Sequence, residues 1–145
     1  LNWITEAVAI GTSVEAQDVS VLRAGRFRSL LSLDGSLTES NAADLGLTEI
    51  VSVPLRDGSG NDLQTFQLAV KSLTRLAGSM APVLVQCQFG RSRSPAVVAA
   101  YLMGLRGLDP FQAIQLVSAK RDISISAALL PFLFRLEVDH SSAPE

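Results

Sequence analysis

Five short apolar runs alternating with stretches of helical spacing, then a C-terminal part that is helical throughout, predict an α/β fold. The expected architecture is a central, mostly parallel five-stranded sheet flanked by helices, with a helical C-terminal part. Size and composition agree: 145 residues, 48% apolar and 18% charged, are enough for one well-cored domain and too apolar for a disordered or fibrous chain. No internal repeat or low-complexity linker divides it.

The strands are expected at Trp3-Ile4, Val8-Ile10, Ser29-Leu33, Ile50-Leu55 and Val83-Cys87. Between the second and third lies "SVEAQDVSVLRAG", read as one helix capped at Ser13 and closed by Gly25. "TESNAADLG" follows, with Thr38 as cap and Gly46 as stop. "DLQTFQLAVKSLTRLAG" places Leu63, Phe66, Ala69, Val70, Leu73 and Leu76 on one face, with Asp62 as cap and Gly78 at its end. After the fifth strand a helix begins at Ser94 or Pro95 and runs to about Arg106. Asp109 caps the next, with Pro110 at its first position. The last helical stretch, "SAALLPFLFRLE", either kinks near Pro131 or begins close before it, and "DHSSAPE" reads as a frayed end.

Charge and cysteine usage narrow the function. A net charge of −2 and a pI near 5.4 offer no basic field for nucleic acid, so any anion site must be local. One cysteine cannot form an internal disulfide, and one Cys with one His cannot build a zinc site; no metal and no cofactor are expected. Apolar stretches stop short of the ~18–20 residues of a membrane span. The opening "LNWITEAVAI" lacks the n- and h-regions of a signal peptide. It also lacks an initiator Met, as a trimmed chain or a piece of a longer one would. A cytoplasmic location is the expectation.

The single thiol, Cys87, closes an apolar strand and precedes Gly90 and Arg93, after which a helix starts. Glycine lets the backbone curl where a side chain would block a ligand, and the unpaired N–H groups of a helix start carry partial positive charge. Together they make an anion cradle whose field favours the thiolate, and the Arg93 fork can pair two phosphate oxygens at once. In parallel sheets ligands gather at the carboxyl ends of strands, where Cys87 and Asp57 both fall.

Cys87-Gln88-Phe89-Gly90-Arg91-Ser92-Arg93-Ser94 resembles the C-x-x-G-x-x-R-S phosphate loop of cysteine-dependent protein phosphatases, specifically the small dual-specificity class. The likeness extends through "SPAVVAAYLM" and through "VPLRDGSGNDLQTFQLAV", which is similar to that family's general-acid loop. It implies a phosphotyrosine phosphatase-like fold over residues 1–139, with 140–145 a flexible tail. It also implies Cys87 as nucleophile, Asp57 as general acid, and Arg93 with the loop from Gln88 through Phe89, Gly90, Arg91 and Ser92 as phosphate ligands. Ser94 would donate a hydrogen bond to the sulfur. Expected partners are a phosphorylated protein or another phosphomonoester, with phosphate, sulfate or vanadate occupying the loop, and neither nucleic acid nor a membrane span.

Two positions depart from the pattern. Gln86 stands where relatives carry His, and the only histidine, His140, lies in the tail as a surface residue. Ser126 stands where relatives place an Asn that braces the loop. These leave open a phosphate-recognising module without turnover, as well as a non-protein substrate such as a phosphoinositide. Arsenate reductases, low-molecular-weight phosphatases and sulfurtransferases fit less well, on loop position, cysteine number and the presence of Asp57 and Ser94. Arg91 and Lys120-Arg121 are candidates for positive potential at the mouth, and Phe89 for the entrance or the packing of the loop.

Overall fold

The structure is a computed structural model and describes residues 1–142, with side chains as far as Glu137. Its five strands are β1 (Asn2–Trp3), β2 (Val8–Gly11), β3 (Ser29–Ser32), β4 (Glu49–Ser52) and β5 (Val83–Gln86). They form one sheet in the order β1-β2-β5-β3-β4, parallel except for the antiparallel β1 edge. The cysteine strand β5 is therefore the central one, and its end sits between the ends of β2 and β3.

Side chains alternate between two cores, as the two-residue period of a strand requires. Val8, Ile10, Leu31, Leu33, Val83 and Val85 face one layer of helices: α4 (Leu63–Ser79), α5 (Arg93–Arg106), α6 (Pro110–Ser118) and α7 (Leu130–Ser142). Ala9, Leu30, Ile50 and Leu84 face the other, built from the short helices α1 (Ser13–Ala16), α2 (Val19–Ala24) and α3 (Ala42–Leu45). The sheet is covered on both faces, as expected. Helix α5 is the hub of the first layer: Ser94 through Met103 are all buried, the pattern of a helix surrounded by protein.

Some local expectations need correction. The stretch after β2 is two helices, not one, because Asp18 accepts from the N–H groups of Ser20 and Val21 and caps a fresh start at Val19. Thr12, not Ser13, caps α1, in a capping box with Glu15. Helix α5 opens at Arg93, one residue before Ser94, so the arginine lies in its first turn. Of the two expected alternatives for the last helix, the second holds: α7 begins at Leu130, just before Pro131, whose missing N–H costs nothing in a first turn. Gly46 ends α3 in the left-handed region (φ 74°) and Asp109 caps α6, both as anticipated. Helix α7 extends into the expected tail; residues 143–145 and the side chain of His140 lie outside the described residues.

Candidate active site

Cys87 is the first residue after β5 and only 2% exposed; the chain then turns through Gly90 into α5 at Arg93. Gly90 has φ +65°, a conformation that costs L side chains strain. A Cβ there would lie 2.6 Å from Arg121 Nη2 and 2.8 Å from the Gly11 carbonyl oxygen. The glycine is thus required by the protein packed behind it, rather than by an approaching ligand.

That packing fixes the loop's polarity. Five successive carbonyls are taken by donors outside the curl. Cys87 O accepts from Gln86 Nε2 at 3.3 Å, and Gln88 O from the Ser13 N–H at 3.1 Å. Phe89 O accepts from Arg121 Nη2 at 3.1 Å, Gly90 O from Arg121 Nε at 2.6 Å, and Arg91 O from the Ser124 N–H at 2.7 Å. In a trans peptide the N–H points opposite to the C=O. The N–H groups of Gln88, Phe89, Gly90, Arg91 and Ser92 are therefore turned away from these braces, forming a concave row of donors.

Arg121, a candidate for positive potential at the mouth, instead spans the back of the loop with its guanidinium. It also reaches Asn2 Oδ1 at 2.9 Å, while Lys120 lies against a different surface depression. Ser126 braces with its backbone, its N–H donating to Ser92 Oγ at 2.9 Å, while its own hydroxyl accepts from Ala128 N at 3.4 Å. Arg121, Ser124 and Ser13 are the residues that sequence reasoning missed as loop supports. The motif "KRDISIS" holds both Arg121 and Ser124, but nothing local in the sequence marks either, or Ser13, as a support.

A pocket of about 260 Å³ opens over the loop, lined by Asp57, Cys87, Phe89, Arg91, Ser92, Arg93 and Ser124. It brings Asp57 to Cys87 although 30 residues separate them in sequence. Arg93 Nη1 donates to the Leu55 carbonyl at 3.1 Å, tying the start of α5 to the segment that carries Asp57. Arg93 Nε and Ser94 Oγ are buried and find no partner among the described residues, Cys87 Sγ included. An unpaired buried donor is costly, and a guanidinium edge left open against a pocket is suited to an anion. Phe89 is 64% exposed and forms part of the wall; Arg91 pairs with the exposed Asp122 at 3.2 Å.

Behind Cys87, Gln86 is fully buried in a polar cluster. Its Oε1 accepts from Ser32 Oγ and, at 3.4 Å, from Ser36 Oγ. Asp34 accepts from the Ser36 hydroxyl at 2.6 Å and the Ser36 N–H at 3.0 Å. Burial pushes the Asp34 carboxyl upward, but the Ser36 bonds, the Gln86 side chain and the positive charge of Arg93 outweigh it and hold it below the ordinary carboxylate value. The Gln86 amide thus holds the Cys87 carbonyl through Nε2 while its Oε1 is taken by the two serines.

Among the described residues, no group of three or more His, Cys, Asp or Glu side chains gathers as metal ligands, and no helix is long and apolar enough to cross a membrane.

Comparison with known proteins matches residues 10–138 to the catalytic domain of dual specificity phosphatases. Among curated relatives, the dual specificity protein phosphatase MPK-4 of Drosophila melanogaster is 29% identical over 122 residues, covering 83% of this chain and 32% of that protein. Dual specificity phosphatase 28 of Homo sapiens is 37% identical over 83 residues, covering 54% of this chain and 45% of that protein. The chain thus spans less than half the length of either. The crystal structure of human DUSP28 superposes with a TM-score of 0.85 at 22% identity, over 98% of this chain and 99% of that one. A mouse protein described as a dual specificity phosphatase, complexed with zinc tungstate, gives 0.84 at 23% identity, over 97% and 88% of the two chains.

Proposed function

Because the chain belongs to the dual specificity phosphatase catalytic-domain family, we propose that it hydrolyses phosphomonoesters through a phosphocysteine intermediate, with residues 1–139 as the catalytic unit. The observation that carries this reading is the braced loop. Five carbonyls are tied outward and five N–H groups turned inward around Cys87, with the Arg93 guanidinium beside them in the same pocket.

The Cys87 thiolate attacks phosphorus in line as the phosphorus–oxygen bond to the leaving group breaks, and Asp57 gives its proton to the departing oxygen. Loop N–H groups and Arg93 hold the equatorial oxygens as charge spreads over them. Water then attacks phosphorus, Asp57 takes its proton, and the phosphorus–sulfur bond breaks to return the thiolate and release phosphate. The unpartnered Ser94 hydroxyl is free to turn toward the leaving sulfur. Net, one ester and one water give one alcohol and one phosphate.

The substrate we favour is a phosphorylated protein bearing phosphotyrosine or phosphoserine/threonine. The pocket is open and small, and the exposed Phe89 offers a ring for a flat or short side chain to rest against. A phosphoinositide is the second reading, favoured by Arg91, a further cation on the same wall. Vanadate, sulfate and phosphate should occupy the loop; the tungstate complex of the mouse relative supports an oxyanion there.

The test is hydrolysis of p-nitrophenyl phosphate. The wild-type chain should turn it over and be inhibited by vanadate, and Cys87→Ser should reduce release of nitrophenol to background. Vanadate binding without turnover in the wild type would instead identify a recognition module.

A further inference from the structure

We infer that Asn61 is a positioning residue for the general acid. This rests on the reading of Asp57 given above. Asp57 lies on an exposed segment, residues 56–61, between the end of the sheet and α4, and no regular secondary structure holds it. Such a segment would ordinarily wander, yet its side chain has to meet a leaving oxygen over Cys87 within a few tenths of an ångström.

The Asn61 amide supplies what a neighbouring strand would. Its Oδ1 accepts from the Arg56 N–H at 2.8 Å, and its Nδ2 donates to the Arg56 carbonyl at 2.8 Å and to the Gly58 carbonyl at 3.3 Å. Both backbone groups of the residue before Asp57, and the carbonyl of the residue after it, are thereby held by one side chain. Two glycines make the closure possible: Gly58 at φ +140° and Gly60 at φ +100° adopt conformations that other residues rarely take. Gly60 also lets the Arg56 side chain lie across it; a Cβ there would sit 3.0 Å from Arg56 Nη1.

The clamp is anchored at its two ends. On one side the Leu55 N–H donates to the Leu33 carbonyl at 2.9 Å, and the Leu55 carbonyl receives Arg93 Nη1. On the other, Asp62 caps α4 by accepting from the Thr65 N–H at 2.7 Å. Asp57 thus rides on a closed turn whose feet rest on the phosphate-loop arginine and on a helix start. Aspartate at position 61 would keep the acceptor but lose both donors, and alanine would lose all three bonds.

A merely structural residue, once removed, would slow every substrate alike. Loss of acid positioning has a different signature, because only a poor leaving group needs the proton. The experiment compares kcat/KM for p-nitrophenyl phosphate with kcat/KM for phenyl phosphate, because kcat/KM reports only the steps through departure of the leaving group. The chains are wild type, Asn61→Ala, Asn61→Asp and Asp57→Asn, with thermal melts to establish folding. General acid catalysis is worth about 10²–10⁴-fold, and Asn61→Ala should forfeit part of it. The ratio of the two kcat/KM values should rise about tenfold or more in Asn61→Ala, by less in Asn61→Asp, and most in Asp57→Asn. If the Asp57→Asn ratio rises while both Asn61 variants keep the wild-type ratio, the inference is overturned and the acid assignment stands. A wild-type ratio in Asp57→Asn itself overturns the assignment of Asp57, and with it the role of Asn61. Should Asn61→Ala fail to fold, the Asn61→Asp ratio alone decides.

Discussion

Arg121 donates to the carbonyls of Phe89, Gly90 and Ile10 and to Asn2 Oδ1, joining the loop after Cys87 to the end of β2 and to the sheet edge. A planar fork can serve such divergent acceptors, whereas a lysine ammonium is a single point with a shorter reach. Arg121→Lys should therefore fold but lose the fixed aim of the loop N–H groups. Misplacement by about 1 Å is enough to cost about 10²-fold, and kcat/KM for p-nitrophenyl phosphate should fall by that order, with circular dichroism unchanged. Unaltered kinetics would mean the loop holds its shape without the brace. Cys87, Gly90 and Arg93 were legible in the sequence because their spacing is local: one curl, seven residues, one helix start. Arg121 was not, because its acceptors lie 31 to 119 positions away and nothing in the local pattern separates a bracing arginine from a solvated one.

Among the elements, α4 shows how an amphipathic stripe becomes support for the site. Phe66, Ala69, Leu73 and Leu76 are fully buried, and the helix packs on α5, which carries Arg93 and Ser94, and on the sheet. Leu73→Ala should lower unfolding free energy by about 2–5 kcal/mol, measured by urea denaturation; a loss well under 1 kcal/mol would show that the interface collapses around the gap. The stripe was readable because its period is that of a helix, and so was its Asp62 cap. The break between α1 and α2 was not, since the apolar spacing runs on across Asp18. The carboxylate there wins locally by capping Ser20 and Val21, and the spacing alone does not register that competition.

Across the whole molecule, the parallel order β2-β5-β3-β4 sets the carboxyl ends of the strands along one rim, with β5, which leads into Cys87, in the middle of the five-stranded sheet. Asp34, Gln86, Cys87 and Asp57 all follow from that placement. Alternation of strands and helices foretold the sheet and its two covered faces, but the strand order emerges only from pairing. The polar cluster of partly buried Asp34, exposed Ser36 and buried Gln86 also links the rim to stability. Its carboxyl is held below the ordinary value, so its contribution is fully present above about pH 3.9 and is lost as pH falls through the lower folded value. Asp34→Asn should accordingly be less stable than wild type at neutral pH, with the gap closing as the solution is acidified below about pH 4; a gap independent of pH would contradict the assignment. The most direct test of the catalytic reading is rapid acid quenching of the chain during turnover of p-nitrophenyl phosphate, followed by peptide mass mapping. The expected result is one added phosphoryl group on the peptide containing Cys87, absent from Cys87→Ser. Continued turnover by Cys87→Ser, or a phosphoryl group trapped on any other residue, would contradict it.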